Sequence, residues 1–181
     1  LERSSQLESQ LARQLAEQLD TTNRNRQDED KRTLAEALEM LGREYDPASD
    51  FGVVLAGEGW HPGVIGIVAS RIVERIHRPV VMIALDGQRG RGSARSIPGF
   101  HLYEALHACS AHMIRFGGHE QAAGMDVARD SVAALREAFN SEAASRLDPA
   151  TLRRRLRTDI VLELEQVDLQ LVHWMSYLGP H

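Results

Sequence analysis

Apolar residues recur every four positions at Leu7, Leu11, Leu15 and Leu19, with Ala12 and Ala16 beside them. That spacing draws a narrow stripe down one side of a helix. A second stripe follows at Leu34, Leu38 and Leu41. The intervening Thr21 to Thr33 is almost wholly polar, yet it holds no Gly or Pro that would stop a helix. The pattern predicts one helix of about 40 residues that changes contact partner midway and ends at Gly42 and Pro47. Its polar middle is either a solvated connector or a surface that meets substrate or another domain through Asn23, Arg26 and Gln27.

Beyond the helix the period changes. Phe51 to Ala56 and Pro79 to Leu85 are short, apolar and β-branched, flanked by turn residues, which predicts central strands buried on both faces. Between them Pro62 opens a helix with an apolar face at Val64, Ile67, Val68, Ile72 and Ile76. The result is a strand-helix-strand unit of the parallel kind. Helices over His101 to Met113 and Ser131 to Arg146 alternate with strands at Arg89 to Arg95 and Ala122 to Ala128. The fold class is α/β: a long connector helix, then one mixed sheet with flanking helices. After Asp148-Pro149, Leu156, Ile160, Leu162 and Leu164 alternate with Arg157, Asp159, Glu163 and Glu165, the mark of a half-buried strand. One strand and a short helical segment cannot form a core alone, so a truncated third unit is expected there. The divisions expected are 1–46, 47–148 and 149–181.

Composition narrows the class. The 181 residues, 43% apolar, contain no apolar run near the roughly 20 residues that cross a bilayer. Leu1 to Gln10 carry neither a secretory signal nor an initiator Met, as expected of a cut inside a longer chain. Cys109 stands alone, which excludes an internal disulfide or a Cys-based zinc site and fits a reducing cytoplasm. The net charge of −5 argues against a uniformly basic surface, but its distribution matters more. Leu1 to Asp50 holds 12 acids and 7 bases, and Phe51 to His181 holds 14 of each. Within the latter, Gly87 to His119 has Arg89, Arg91, Arg95 and Arg115 against Glu104 alone, plus four histidines.

Three segments carry candidate chemistry. In Arg89-Gly90-Arg91-Gly92-Ser93-Ala94-Arg95-Ser96, an extended strand sets Arg89, Arg91, Ser93 and Arg95 on one face and Gly90, Gly92, Ala94 and Ser96 on the other. The bare face permits close approach of a helix or ligand. The cationic face suits phosphate oxygens, or else is an exposed edge of solvated arginines. In Phe116-Gly117-Gly118-His119, paired glycines can turn backbone N–H groups toward an anion, with His119 as a further donor. A plain Gly-Gly turn is the alternative, and no second His or Cys pair supports a zinc site. In Gly57-Glu58-Gly59-Trp60-His61-Pro62-Gly63, a strand feeds a helix whose free N–H groups favour phosphate. Trp60 there either stacks on a base or packs in the core, and His61 either donates or fixes the turn.

Together Gly59-Trp60-His61-Pro62-Gly63-Val64-Ile65-Gly66, Arg78-Pro79, Gly92-Ser93-Ala94-Arg95-Ser96-Ile97-Pro98-Gly99-Phe100, and Phe116-Gly117-Gly118-His119 with Ala122-Ala123-Gly124 resemble, in order and spacing, the DHH-associated domain of RecJ exonucleases. The resemblance is strong from Phe51 to Val127. It extends more loosely to the long helix, and to the tail as the opening of the family's oligonucleotide-binding (OB) domain.

The resemblance implies a 5′→3′ exonuclease of single-stranded DNA serving repair and recombination. Two manganese or magnesium ions would sit on a DHH half that is not in this sequence, leaving this fragment inactive alone. No Asp-His-His occurs here, and Asp86, Asp126 and Asp130 are scattered. It implies that Ser93 and Arg95, with Ser96, hold a backbone or terminal phosphate, and that Gly117, Gly118 and His119 meet the phosphate near the scissile bond, His119 in a supporting role. Trp60, His61, Arg89 and Arg91 complete the expected set. The expected partners are single-stranded DNA, single-strand-binding protein and a RecQ-type helicase, with a monomeric chain and no membrane. Two other readings stay open: a DHH-family oligoribonuclease or bisphosphate nucleotide phosphatase, and an inactive RecJ-like replication scaffold.

Overall fold

The computed structural model describes residues 2–148, 152 and 160–177, with side chains from residue 12 onward. The long helix α1 spans Glu2–Glu44 without interruption, passing through Gly42 and stopping before the Asp46-Pro47 turn. Asp46 closes that turn by accepting from the Ala48 N–H and the Ser49 hydroxyl at 3.0 Å each, bonds that hold its carboxyl below the usual range. The second apolar stripe docks, with Ala37 and Leu41 buried, whereas Leu15 and Leu19 of the first are 50% and 70% exposed, and the side chains of Leu7 and Leu11 lie outside those described.

Five strands follow: β1 Val53–Glu58, β2 Val80–Asp86, β3 Arg89–Arg95, β4 Arg115–Gly118 and β5 Ala122–Ala128. They form one sheet in the order β1-β2-β3-β5-β4, with β1 and β2 parallel and the other pairs antiparallel. The helices are α2 Ile65–Ile76, α3 Leu102–Ala108, α4 Val132–Arg146 and α5 Leu169–Met175. A short 3-10 turn over Ser110–His112 ends the segment expected to be one helix up to Met113.

The sheet has a core on each side. On one face α3 and α4 cover all five strands through Phe100, Leu106, Leu135 and Phe139. On the other, α2 lies over β2 and β3 while α1 packs against α2 and the β1 side, through Ala37, Ile65, Val68, Ile72 and Met82. Each fully buried Val or Ile contributes about 1.5–3 kcal/mol, so α2 is firmly fixed over β2 and β3. The α2-side faces of β5 and β4 have no helix packed over them.

Two expectations are corrected here. β1 is an edge strand, not a central one; its apolar run reflects helices on both of its faces rather than strands on both sides. Of the alternation expected from Leu156 to Glu165, residues 156–159 lie outside the described residues, while 160–163 pair with no strand and Leu164–Gln166 forms a 3-10 turn. Among the described residues no helix is long and apolar enough to cross a membrane.

Candidate nucleic-acid interface

β3 alternates as its sequence requires. Gly90, Gly92 and Ala94 are buried, while Arg89 and Arg91 are exposed and Ser93 and Arg95 half-buried on the opposite face. The bare side does not admit a helix or ligand, because its space is already filled. A Cβ on Gly90 would come within 2.5 Å of Ile83 Cγ2, and one on Gly92 within 2.6 Å of Met125 Cγ. The cationic side faces the α2 side of the sheet, where α2 covers the Ser93–Arg95 end and leaves Arg89 and Arg91 exposed.

Strand pairing lays this face out in rows. Ser93 stands opposite Gly124, which stands opposite Gly117. Neither glycine has a side chain close above it, so the row is a shallow trough running from β3 to the free edge of β4. On one side lies the row Arg91, Asp126, Arg115. On the other lie Arg95 and Ala122, and the ladder continues to His119, whose N–H donates to the Ala122 carbonyl at 2.8 Å. Arg95 and His119 therefore share a row, two interstrand spacings or about 10 Å apart. Gly118 allows the bend between Gly117 and His119, since a Cβ there would collide with the β5 backbone at Ala122 and Ala123.

The inner end of the trough is the most built part. Arg95 Nη1 donates to Ser93 Oγ at 3.1 Å and to the Ala94 carbonyl at 2.8 Å, which locks the fork beside the hydroxyl. Both groups press on the first turn of α2: a Cβ on Gly66 would lie 2.9 Å from Arg95 Nη2 and 3.0 Å from Ser93 Oγ. A guanidinium, a hydroxyl and the first turn of α2 thus meet at one point. An oxyanion is the ligand such a seat fits best.

Acids approach this face from neighbouring strands, Asp86 across the tight β2–β3 turn and Asp126 from far along the chain. Asp126 is in register with Arg91 and Asp86 with Arg89, but Asp126 pairs with Arg115. Among the described residues Arg89, Arg91 and Arg95 form no ion pair. Arg89, Arg91, Arg115, Gln88 and Pro62 line an open cleft beside the trough. Arg115 is the residue the sequence reading left off the site; its alternation with Gly117 would have signalled it only had the four-residue β4 been recognised as a strand.

Two candidates leave the site. Trp60 is 4% exposed and its Nε1 donates to Glu36 Oε2 at 2.7 Å, within the core between α1 and α2, so it has no free face for a base. Ser96 lies on the other side of β3, and its hydroxyl donates to the Phe100 carbonyl at 2.7 Å, tying down the loop after the strand. His61 is exposed, and its Nδ1 accepts from the Gly63 N–H at 3.0 Å, fixing the turn that leads into α2. That turn occupies residues 61–64, so α2 starts later than Pro62. Asn23 and Arg26 bond to each other on α1 at 3.1 Å, while Arg26 and Gln27 line a shallow pocket with Arg71. Among the described residues no three His, Cys, Asp or Glu side chains are grouped to hold a metal ion. The described residues therefore do not fit a metal centre.

The DHHA1 domain family model matches residues 49–145. The single-stranded-DNA-specific exonuclease RecJ of Bacillus subtilis is 36% identical over 171 residues, covering 93% of this chain and 22% of the relative. RecJ of Escherichia coli is 34% identical over 177 residues, covering 93% and 30%. The crystal structure of exonuclease RecJ bound to manganese superposes with a TM-score of 0.62 at 34% identity, covering 71% of this chain and 31% of that one. RecJ of Thermus thermophilus in complex with magnesium gives 0.61 at 34%, covering 70% and 19%. The chain thus spans less than a third of the length of these relatives. The chain belongs to the DHHA1 domain family.

Proposed function

We propose that this DHHA1-family chain is the strand-gripping part of a RecJ-like 5′→3′ exonuclease of single-stranded DNA. The reading is carried by one observation: the Ser93–Arg95 pair seated against Gly66, at the head of a glycine-floored trough flanked by unpaired arginines. A strand's phosphates would lie over Ser93, Gly124 and Gly117, where no side chain obstructs them. Arg95 and the start of α2 would hold one phosphate, and Arg91 and Arg89 its neighbours, while His119 would donate from the other end of the Arg95 row. These groups bind, orient and offset charge; hydrolysis would be the work of two divalent ions, manganese or magnesium, held by a DHH half. Residues 149–181 would open an OB domain. Roles in repair and recombination, and contacts with single-strand-binding protein and a RecQ-type helicase, belong to the same proposal and rest on the RecJ relatives.

The test is fluorescence anisotropy of a labelled, 5′-phosphorylated oligothymidylate against salt. Arg95→Ala is expected to weaken binding and to flatten the log-log salt slope by about 0.7, one single-strand phosphate contact. An unchanged slope and affinity would remove Arg95 from the interface.

A further inference from the structure

The phosphate seat is built on the first turn of α2, and that turn is held from outside the sheet. Just before it, the chain runs through Gly57-Glu58-Gly59-Trp60, and each glycine there has a reason. Gly57 lies flat beneath the Trp60 indole, leaving no room for a Cβ, and Gly59 turns with φ +70°, which favours glycine. The Trp60 ring, thus folded back, is bonded to α1 rather than to the sheet. Its Nε1 donates to Glu36 Oε2 at 2.7 Å, and Arg32 Nη2 donates to the Gly59 carbonyl at 3.1 Å. Arg32 is itself held by Glu29 at 2.7 Å. A second tie joins α1 to the body of α2, from Asp30 to Arg71 at 2.7 Å. Thr33 and Ala37, fully buried, let the two helices approach closely between these ties.

An unbroken path of contacts therefore leads from α1, through the Gly59-Trp60 turn and the first turn of α2, to the Arg95 guanidinium and Ser93 hydroxyl. Taking Ser93 and Arg95 as a phosphate seat, on which this inference rests, we propose that Glu36 and Arg32 are positioning residues for that seat. They touch no ligand. They fix the height and tilt of the α2 start against which the guanidinium and hydroxyl are set, so the docking of the long helix sets how tightly a phosphate is held. A seat that relies on a fork, a hydroxyl and backbone N–H groups converging on one oxyanion loses affinity when one wall shifts by a fraction of an ångström.

The test measures binding of the labelled 5′-phosphorylated oligothymidylate to the full chain across a salt series, with far-UV circular dichroism confirming folding of each variant. Glu36→Ala is expected to weaken binding roughly tenfold and the exposed Arg32→Ala roughly threefold, by displacement rather than loss of a contact. Because no phosphate contact is removed, both should keep the wild-type salt slope, unlike Arg95→Ala. Glu36→Gln, whose amide oxygen still accepts from the indole, should restore near wild-type affinity. Glu36→Ala combined with Trp60→Phe should bind no worse than Glu36→Ala alone. Wild-type affinity in both Glu36→Ala and Arg32→Ala, alongside a loss in Arg95→Ala, would overturn the positioning role while sparing the seat. A salt slope flattened as in Arg95→Ala would also overturn it, by making the contact direct. Failure of the wild-type chain to bind, or full binding by Arg95→Ala, would overturn the seat and this inference with it.

Discussion

The two edges of the sheet are opposites. At the β1 edge, α4 stands in for a missing strand. Arg136 Nε donates to the Val54 carbonyl at 3.0 Å, and Asn140 Oδ1 accepts from the Phe51 and Gly52 N–H groups at 2.8 and 3.1 Å, while its Nδ2 donates to the Ser49 carbonyl at 3.1 Å. At the β4 edge the strand is four residues long, two of them glycine, with an exposed arginine and no helix over its α2-side face. An unpaired row of backbone groups invites unwanted pairing, and side chains from a helix are one way to prevent it. The contrast separates scaffold from proposed interface: one edge is sealed by a helix, and the other carries two glycines and an exposed arginine.

Breaking the sealed edge should damage stability and leave binding intact. Asn140→Ala orphans two backbone N–H groups and a carbonyl together, and should cost about 2–3 kcal/mol in urea unfolding. The folded fraction should still bind the oligothymidylate with wild-type affinity. The open face should behave the other way round. Gly66→Ala places a methyl within 3.0 Å of Arg95 Nη2 and Ser93 Oγ, and should weaken oligonucleotide binding roughly tenfold by displacing both groups. Its thermal midpoint should hold or rise, since alanine favours a helix over glycine by about 1 kcal/mol. A stability loss with unchanged binding would reverse the assignment of Gly66 to the seat.

The effect that vanishes at neutral pH lies in the core beneath both regions. Burial, reinforced by Glu142 and opposed by Arg146, pushes the Cys109 thiol up from 9.0 to about 11. The folded chain then keeps a proton that the unfolded chain releases, so stability should be flat below pH about 9 and fall as pH rises toward 11. Cys109→Val should lessen that fall in urea midpoints compared across this range. Native Cys109 should also resist alkylation at neutral pH, which mass spectrometry would show.

How much of this was legible in the sequence follows the same division. The pleat alone set Arg89, Arg91, Ser93 and Arg95 on one face, and apolar runs marked β1, β2 and β5, because those signals are local. Whatever depended on partners distant in the chain was hidden. Asp126 reaches Arg91 and Arg115 only through strand pairing, and β4 is too short and glycine-rich to read as a strand without β5 beside it. Trp60, which composition alone would allow at a ligand, is in the core because Glu36 lies 24 residues away on a helix that folds back over it. Ser96 was read with its neighbours, yet strand alternation had already turned it to the other side.

The central claim is that the open face of β3, β5 and β4 is where a single strand lies. Its most direct test follows backbone amide shifts in the nitrogen-proton NMR spectrum while the 5′-phosphorylated oligothymidylate is titrated into the chain. The account predicts the largest shifts at Gly66, Ser93, Arg95, Gly117, His119 and Gly124, with Val54, Arg136 and Asn140 unmoved. Shifts centred on the β1 edge, or none on the β3 to β4 face at saturating oligonucleotide, would contradict it.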